Sequence, residues 1–243
     1  MAKAVFPTKK KALLFDWHGT LVLSSSAAFD RAFVSVLEDW TGRWSEADGA
    51  SPARALAEFK AEWKQRTASR NRVPTRTLFA ACLKKALAAY PLPTDAEWIE
   101  RFRARVQEEK RRTALPLPGV KETLSALSGS YRMAVISNGG GIDLERSGLS
   151  AWLRPENCFT SQMCGYRKPH PAIFAYALKK LNIPASRSVM IGDSWNRDVR
   201  GAVASGIDAV WIRPGGSDTV RLRPFKGRTV AVVRDFRQLS ELF

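Results

Sequence analysis

The chain has 243 residues, 45% of them hydrophobic, 10% aromatic and 26% charged, enough apolar material for a packed core and too much for a disordered tail. Its 39 Lys and Arg against 23 Asp and Glu leave a formal charge of +16, which calls for an anionic partner, small or polymeric. Three cysteines, Cys82, Cys158 and Cys164, without CxxC spacing exclude a disulfide framework or zinc knuckle, and no run approaches the ~18 apolar residues of a membrane span, so a soluble, cytoplasmic protein with no membrane partner is expected.

In chain order, the first element is the apolar run Ala12-Leu13-Leu14-Phe15, which stops at Asp16 and turns at Gly19-Thr20. That pattern reads as a buried strand ending in a polar loop. Between Ser24 and Pro116 helical periodicity takes over. One stripe runs through Phe29, Phe33, Val36 or Leu37, and Trp40; a second through Leu56, Phe59 and Trp63 behind the start signal Ser51-Pro52. A third passes through Leu78, Phe79, Cys82, Leu83, Ala86, Leu87 and Tyr90, and a fourth opens on the capping-box spacing Thr94 to Glu97 and continues through Trp98, Phe102 and Val106. Leu115-Pro116-Leu117-Pro118-Gly119 is a stiff return linker. Short apolar runs then resume at Met133–Ile136, Ser188–Ile191, Ala209–Ile212 and Val230–Val233, most of them separated by helix-like stretches. Continuous apolar strands alternating with helices predict an α/β fold, a doubly wound parallel-sheet core of Rossmann type. The predicted organisation is a core of residues 1–23 and 117–243 carrying an inserted all-helical cap, residues 24–116.

Ligands of open parallel sheets bind beyond the strands' carboxyl ends. The first strand delivers Asp16-Trp17-His18-Gly19-Thr20 there, the second Ser137-Asn138, and a later one Gly192-Asp193-Ser194-Trp195-Asn196-Arg197-Asp198, with the loop Gly165-Tyr166-Arg167-Lys168-Pro169-His170 before the following helix. Three carboxylates, a small hydroxyl and a lysine would converge. A carboxylate can attack a phosphoryl group and split one hard displacement into two easier ones. The repulsion between two anions then calls for a hard cation held by carboxylates.

These motifs, in this order and spacing and with a helical insertion after the first, resemble the haloacid dehalogenase-like (HAD-type) hydrolases, in particular their phosphatase branch. The resemblance covers essentially the whole chain. It implies Mg²⁺ as cofactor, Asp16 as the nucleophile forming an aspartyl-phosphate, and Asp16, Asp193, Asp198 and the main-chain carbonyl of His18 as metal ligands. Ser137 and Lys168 would contact the phosphoryl oxygens, Lys168 also holding Asp16 ionised; Thr20 and Asn138 would support substrate binding. His170 reads as a spacer in its loop.

One position departs from the family. Phosphatases of this kind carry Asp two residues after the nucleophile, as general acid and base; here it is His18. Dehalogenases carry tyrosine there and do not need the metal-holding carboxylates. Imidazole, with an ordinary pKa of about 6.5, can take over the acid and base role. The other reading is a catalytically attenuated protein acting as a phospholigand-binding or nucleic-acid-associated scaffold.

The expected substrate is a small phosphorylated metabolite: a sugar phosphate, phosphoglycolate or a nucleotide. Arg31, Arg43, Arg54, Lys64 and Arg66 of the insertion are candidates to meet it. Residues 24–116 hold 17 basic and 12 acidic residues, leaving 22 basic and 11 acidic in the core. Clusters at Lys9-Lys10-Lys11, Lys110-Arg111-Arg112 and across Arg221, Arg223, Lys226 and Arg228 are not interleaved with a repeated aromatic platform of the kind that single-strand binders use. Steering of an anionic substrate therefore accounts for the charge, nucleic acid is permitted but not favoured, and nothing in the sequence sets the oligomeric state.

Overall fold

The computed structural model describes residue 6 and residues 10–23, 25–41, 51–67, 76–90, 92–216 and 219–243. The chain divides into two compact units, residues 1–24 with 114–243, and residues 25–113. The division falls earlier on the return side than the linker at Leu117 predicted, because the returning chain is already hydrogen-bonded to the outgoing one. Leu23 N donates to Leu115 O and Leu117 N to Leu21 O, each at 3.0 Å.

The first unit is built on β1 (Ala12–Phe15), α5 (Val120–Leu127), β2 (Arg132–Ser137), β3 (Cys158–Thr160), α6 (Ser161–Cys164), α7 (Pro171–Leu181), β4 (Ser188–Gly192), α8 (Arg200–Ala204), β5 (Asp208–Ile212), β6 (Arg221–Phe225) and β7 (Arg228–Val233). The helices α1 (Ser25–Thr41), α2 (Pro52–Thr67), α3 (Arg76–Ala86) and α4 (Ala96–Arg112) form the second. The seven strands lie in the order β3-β2-β1-β4-β5-β7-β6, every pair parallel except β6–β7. From β1 the chain winds outward to β2 and β3, then returns to place β4 on the other side of β1. That reversal opens a crevice above β1 and β4.

Strand alternation explains the continuous apolar runs. Leu13 and Phe15, Met133 and Val135, and Val189 and Ile191 face α5 and the C-terminal turn carrying Phe236 and Leu239. Their neighbours Ala12, Leu14, Ala134, Ile136 and Met190 face Ile173, Phe174 and Ala177 of α7 and Ala202 of α8. Both faces are covered, so both sets of side chains are apolar.

In the helical unit Phe33, Phe59 and Phe102 meet with ring centroids 5.3 and 5.1 Å apart, joining α1, α2 and α4 in one core. Ser51 caps α2, its hydroxyl accepting from Arg54 N at 3.2 Å. At α4 the cap is Asp95, not Thr94: its carboxylate accepts from Trp98 N at 2.8 Å. A carboxylate at that position also answers the positive end of the helix dipole. The three cysteines are unbridged. Among the described residues no helix is long and apolar enough to cross a membrane.

Candidate active site

The main-chain ladder does the first part of the positioning. Phe15 pairs with Ile191 across β1 and β4, and Asp16 N donates to Ile191 O at 2.9 Å. Asp16 and Asp193 therefore leave adjacent strand ends. Asp198 returns to them through one wide turn of π-helix, Trp195–Val199, opened by the Ser194 hydroxyl accepting from Arg197 N at 3.3 Å. The Asp198 carboxylate accepts from Ser194 N at 2.9 Å and is completely buried.

Two glycines make room for these carboxylates. Gly19 sits at φ +83°, and a Cβ there would stand 2.6 Å from Asp193 Oδ2. At Gly192 a Cβ would fall on the Asp198 side chain. Each serves close approach; Gly19 also needs its left-handed backbone.

Lys168 links the carboxylates. Its ammonium lies 2.8 Å from Asp16 Oδ1 and 2.7 Å from Asp198 Oδ1, with the lysine and both acids buried. Burial alone pulls an ammonium's pKa down, but the two carboxylates outweigh it and hold Lys168 above its ordinary value. Burial pushes Asp193 up, with Asp198 beside it adding to the effect. Asp198 is likewise raised by burial and by the charge of Asp16, against the opposing pull of Lys168.

Asp16 Oδ1 accepts from Trp17 N at 2.7 Å and forms an ion pair with the Lys168 ammonium at 2.8 Å. Its Oδ2 has no partner among the described residues. Oxygens of Asp16, Asp193 and Asp198 lie within 4.8 Å of one another, and the buried Asp193 Oδ1 has no hydrogen-bond partner among the described residues. An unanswered carboxylate oxygen in an all-oxygen cluster fits a hard divalent cation.

The other predicted residues divide. Ser137 is buried at the end of β2, its Oγ accepting from Gly139 N at 3.2 Å, which leaves the hydroxyl proton available to donate. His18 is half-buried beside that loop: a Cβ on Gly139 would stand 3.9 Å from its Cε1. Thr20 is fully enclosed, and its hydroxyl has no partner among the described residues.

Asn138, expected to support substrate binding, is bonded to the main chain of Lys168. Its Nδ2 donates to Lys168 O at 2.9 Å and its Oδ1 accepts from Lys168 N at 2.6 Å. With one amide hydrogen and the amide oxygen engaged, it fixes the lysine loop. His170 caps α7, Nδ1 accepting from Ala172 N at 3.2 Å, with its ring stacked on Tyr166.

Two supporting residues went unpredicted. Trp211 Nε1 donates to Asp193 O at 2.9 Å, and Ser161 Oγ to Asn138 O at 3.0 Å. Nothing in the sequence near the motifs marks them, since each comes from a neighbouring strand end. Of the candidate cations in the helical unit, Arg54 pairs with Glu58 at 3.1 Å and Arg66 with Glu62, while Arg31 and Lys64 are exposed. Arg43 lies outside the described residues.

Known proteins resemble this chain to different depths. A glyceraldehyde 3-phosphate phosphatase of Methanothermobacter thermautotrophicus is 35% identical over 133 residues, 52% of this chain and 58% of that one. The chain spans about half the length of the curated relatives it matches. Among solved structures, a 2-haloacid dehalogenase from Pseudomonas syringae pv. Tomato superposes with a TM-score of 0.72 at 24% identity, covering 96% of this chain and 97% of that one. YfnB of Bacillus subtilis, solved bound to magnesium, does so with a TM-score of 0.67 at 20% identity, covering 96% and 98%. These two likenesses establish the fold. Residues 10–206 match the family profile of the haloacid dehalogenase-like hydrolases as one stretch, taking in Asp16, Ser137, Lys168, Asp193 and Asp198. The chain belongs to the haloacid dehalogenase-like hydrolases.

Proposed function

We propose that the chain is a magnesium-dependent phosphatase that hydrolyses a small phosphorylated metabolite through an aspartyl-phosphate on Asp16. The observation that carries this reading is the buried Lys168 ammonium set between Asp16 and Asp198, next to the unpartnered Asp193 Oδ1. Similarity to a phosphatase at 35% identity supports the reaction class, and the magnesium of YfnB supports the metal.

Asp16 Oδ1 is occupied by Trp17 N and Lys168, so Oδ2 is the attacking oxygen. It bonds to phosphorus while the bond from phosphorus to the substrate's leaving oxygen breaks, and His18 gives that oxygen a proton. Water then attacks phosphorus, His18 takes the water's proton, and the bond to Asp16 breaks to release inorganic phosphate. An ammonium has three donors; two face Asp16 and Asp198, and the third remains for a phosphoryl oxygen. Ser137 donates to another, where charge is spread in the transition state. Asp16, Asp193, Asp198 and, by family resemblance, the main-chain carbonyl of His18 would hold the divalent cation, which would supply charge to offset the repulsion between carboxylate and phosphate.

The test is a panel of phosphorylated metabolites, including glyceraldehyde 3-phosphate, phosphoglycolate and nucleoside monophosphates, assayed with and without Mg²⁺. Turnover that requires Mg²⁺ and disappears in Asp16→Asn is expected. A fully active Asp16→Asn variant, or turnover indifferent to chelation, overturns the assignment.

A further inference from the structure

The three basic clusters of the sequence have different fates in the fold. Lys10 is buried, paired with Asp208 at 2.6 Å and donating to Ser186 O at 2.6 Å. Arg111 and Arg112 pair with Glu108 and Glu109 at 2.7 and 2.9 Å. By contrast, Arg213, Arg221, Arg223, Lys226 and Arg228, at the end of β5 and along the β6–β7 hairpin, have no carboxylate within ion-pair reach among the described residues. Like charges gathered without counter-charges among the described residues repel one another.

Beneath these cations lie aromatic rings that the sequence keeps apart. Trp195, from the turn after β4, stands 5.1 Å from Trp211 of β5 and 5.2 Å from Phe225 of β6, centroid to centroid, and all three are half-buried. Arg213 lies over Trp211 at 5.4 Å, and Arg223 and Lys226 lie over Trp195 and Phe225, each at 5.9 Å. Arg221 and Arg223 are both exposed and share one face of β6 about 7 Å apart. The repeated aromatic platform that the linear sequence lacks is therefore assembled from three separate elements.

The edge itself narrows the partner. Pro224 within β6 has no N–H to offer a further strand, which blunts pairing through the backbone. A second copy of this chain would set arginines against arginines. A partner must instead meet the side chains with a repeating negative charge and flat apolar groups.

We propose that the β6–β7 hairpin, with Trp195 and Trp211 beside it, is a binding surface for single-stranded nucleic acid. Arg221, Arg223 and Lys226 take successive phosphates, and bases stack at the rim of the Trp195–Trp211–Phe225 cluster without sequence preference. Arg221, Arg223 and Lys226 lie outside the carboxylate site, which the aromatic floor adjoins through the Trp195–Val199 turn and the Trp211 bond to Asp193 O.

The full-length protein is titrated with a fluorescent oligothymidylate of about 12 nucleotides over a range of salt. Wild type is compared with the variant R221Q/R223Q/K226Q, an abasic strand of the same length serves as a second ligand, and polyglutamate as a competitor. The expected result is binding whose log–log salt slope falls in magnitude by about 2 in the triple variant, three single-strand phosphate contacts having been lost. The abasic strand is expected to bind at least about fivefold more weakly, and phosphatase activity to be unchanged. Absence of binding at low salt, an unaltered slope in the variant, or polyglutamate competing as well as the oligonucleotide overturns the proposal, the last by pointing to an acidic protein.

Discussion

At the C-terminal ends of β1 and β4, Lys168 lies within 2.8 Å of both Asp16 and Asp198. Along β6 and β7, at the far edge of the same sheet, Arg221, Arg223, Lys226 and Arg228 face no acid among the described residues. The first group is buried and the exposed β6 arginines are solvated, and that difference sets the rules each obeys. A charge removed from water must be answered within the protein, so its partners follow from folding. A charge in water need not be, so a one-sided gathering of them speaks of something outside the fold. The formal +16 of the chain does not distinguish the two; only the pairing does.

The sharpest way to break this contrast is at its buried end. Asp16→Asn should reduce metal-dependent turnover by about 10⁴-fold or more while leaving the fold intact, measured as kcat beside a thermal melt. His18→Ala should slow an alkyl phosphate by ~10²–10⁴-fold and an activated aryl phosphate far less, since only the poor leaving group needs the proton. Equal losses on both substrates would remove His18 from the acid and base role.

Lys10 carries the same logic away from chemistry. Lys10→Met leaves Asp208 buried without its cation and should cost about 3 kcal/mol in denaturant unfolding. Adding Asp208→Leu should recover most of that loss, because the expensive species is the lone charge. A double variant no better than the single one would show that the pair itself stabilises the fold.

Glu62 gives a smaller effect with a defined sign. Hydrogen bonds from Lys85 and then Arg66 hold its carboxyl below the ordinary value of 4.5. Its contribution is therefore complete above that value and is lost as the pH falls through the lower folded one. Glu62→Gln should flatten the acid side of the unfolding profile and leave the neutral region nearly level. At the exposed end of the comparison, R221Q/R223Q/K226Q should change stability by no more than about 0.5 kcal/mol.

Much of the core and its motifs was readable in advance. β1, β2, β4, β5 and β7 declare themselves as apolar runs because both sheet faces are covered, and Asp16, Ser137 and Asp193 follow at or just beyond three of those strand ends. β3 is too short to carry a periodic signal, and β6 shows only as part of a basic cluster because an exposed edge strand holding Pro224 has no continuous apolar run. The Asn138 clamp, the Trp211 bond to Asp193 and the Lys10–Asp208 pair are all contacts between residues far apart in the chain. Local patterning cannot register them. The capping position moved by one residue because two adjacent polar side chains, Thr94 and Asp95, compete for it.

The antiparallel crossing of Leu21–Leu23 with Leu115–Leu117 has a practical consequence for engineering. The chain leaves the sheet unit and re-enters it through one doorway, with departing and returning strands already hydrogen-bonded side by side. A short hairpin turn could splice the two and yield a core without the helical unit, and the same doorway would accept another insert. A whole module can thus be exchanged at a single seam, without cutting the sheet or disturbing the ends of β1 and β4.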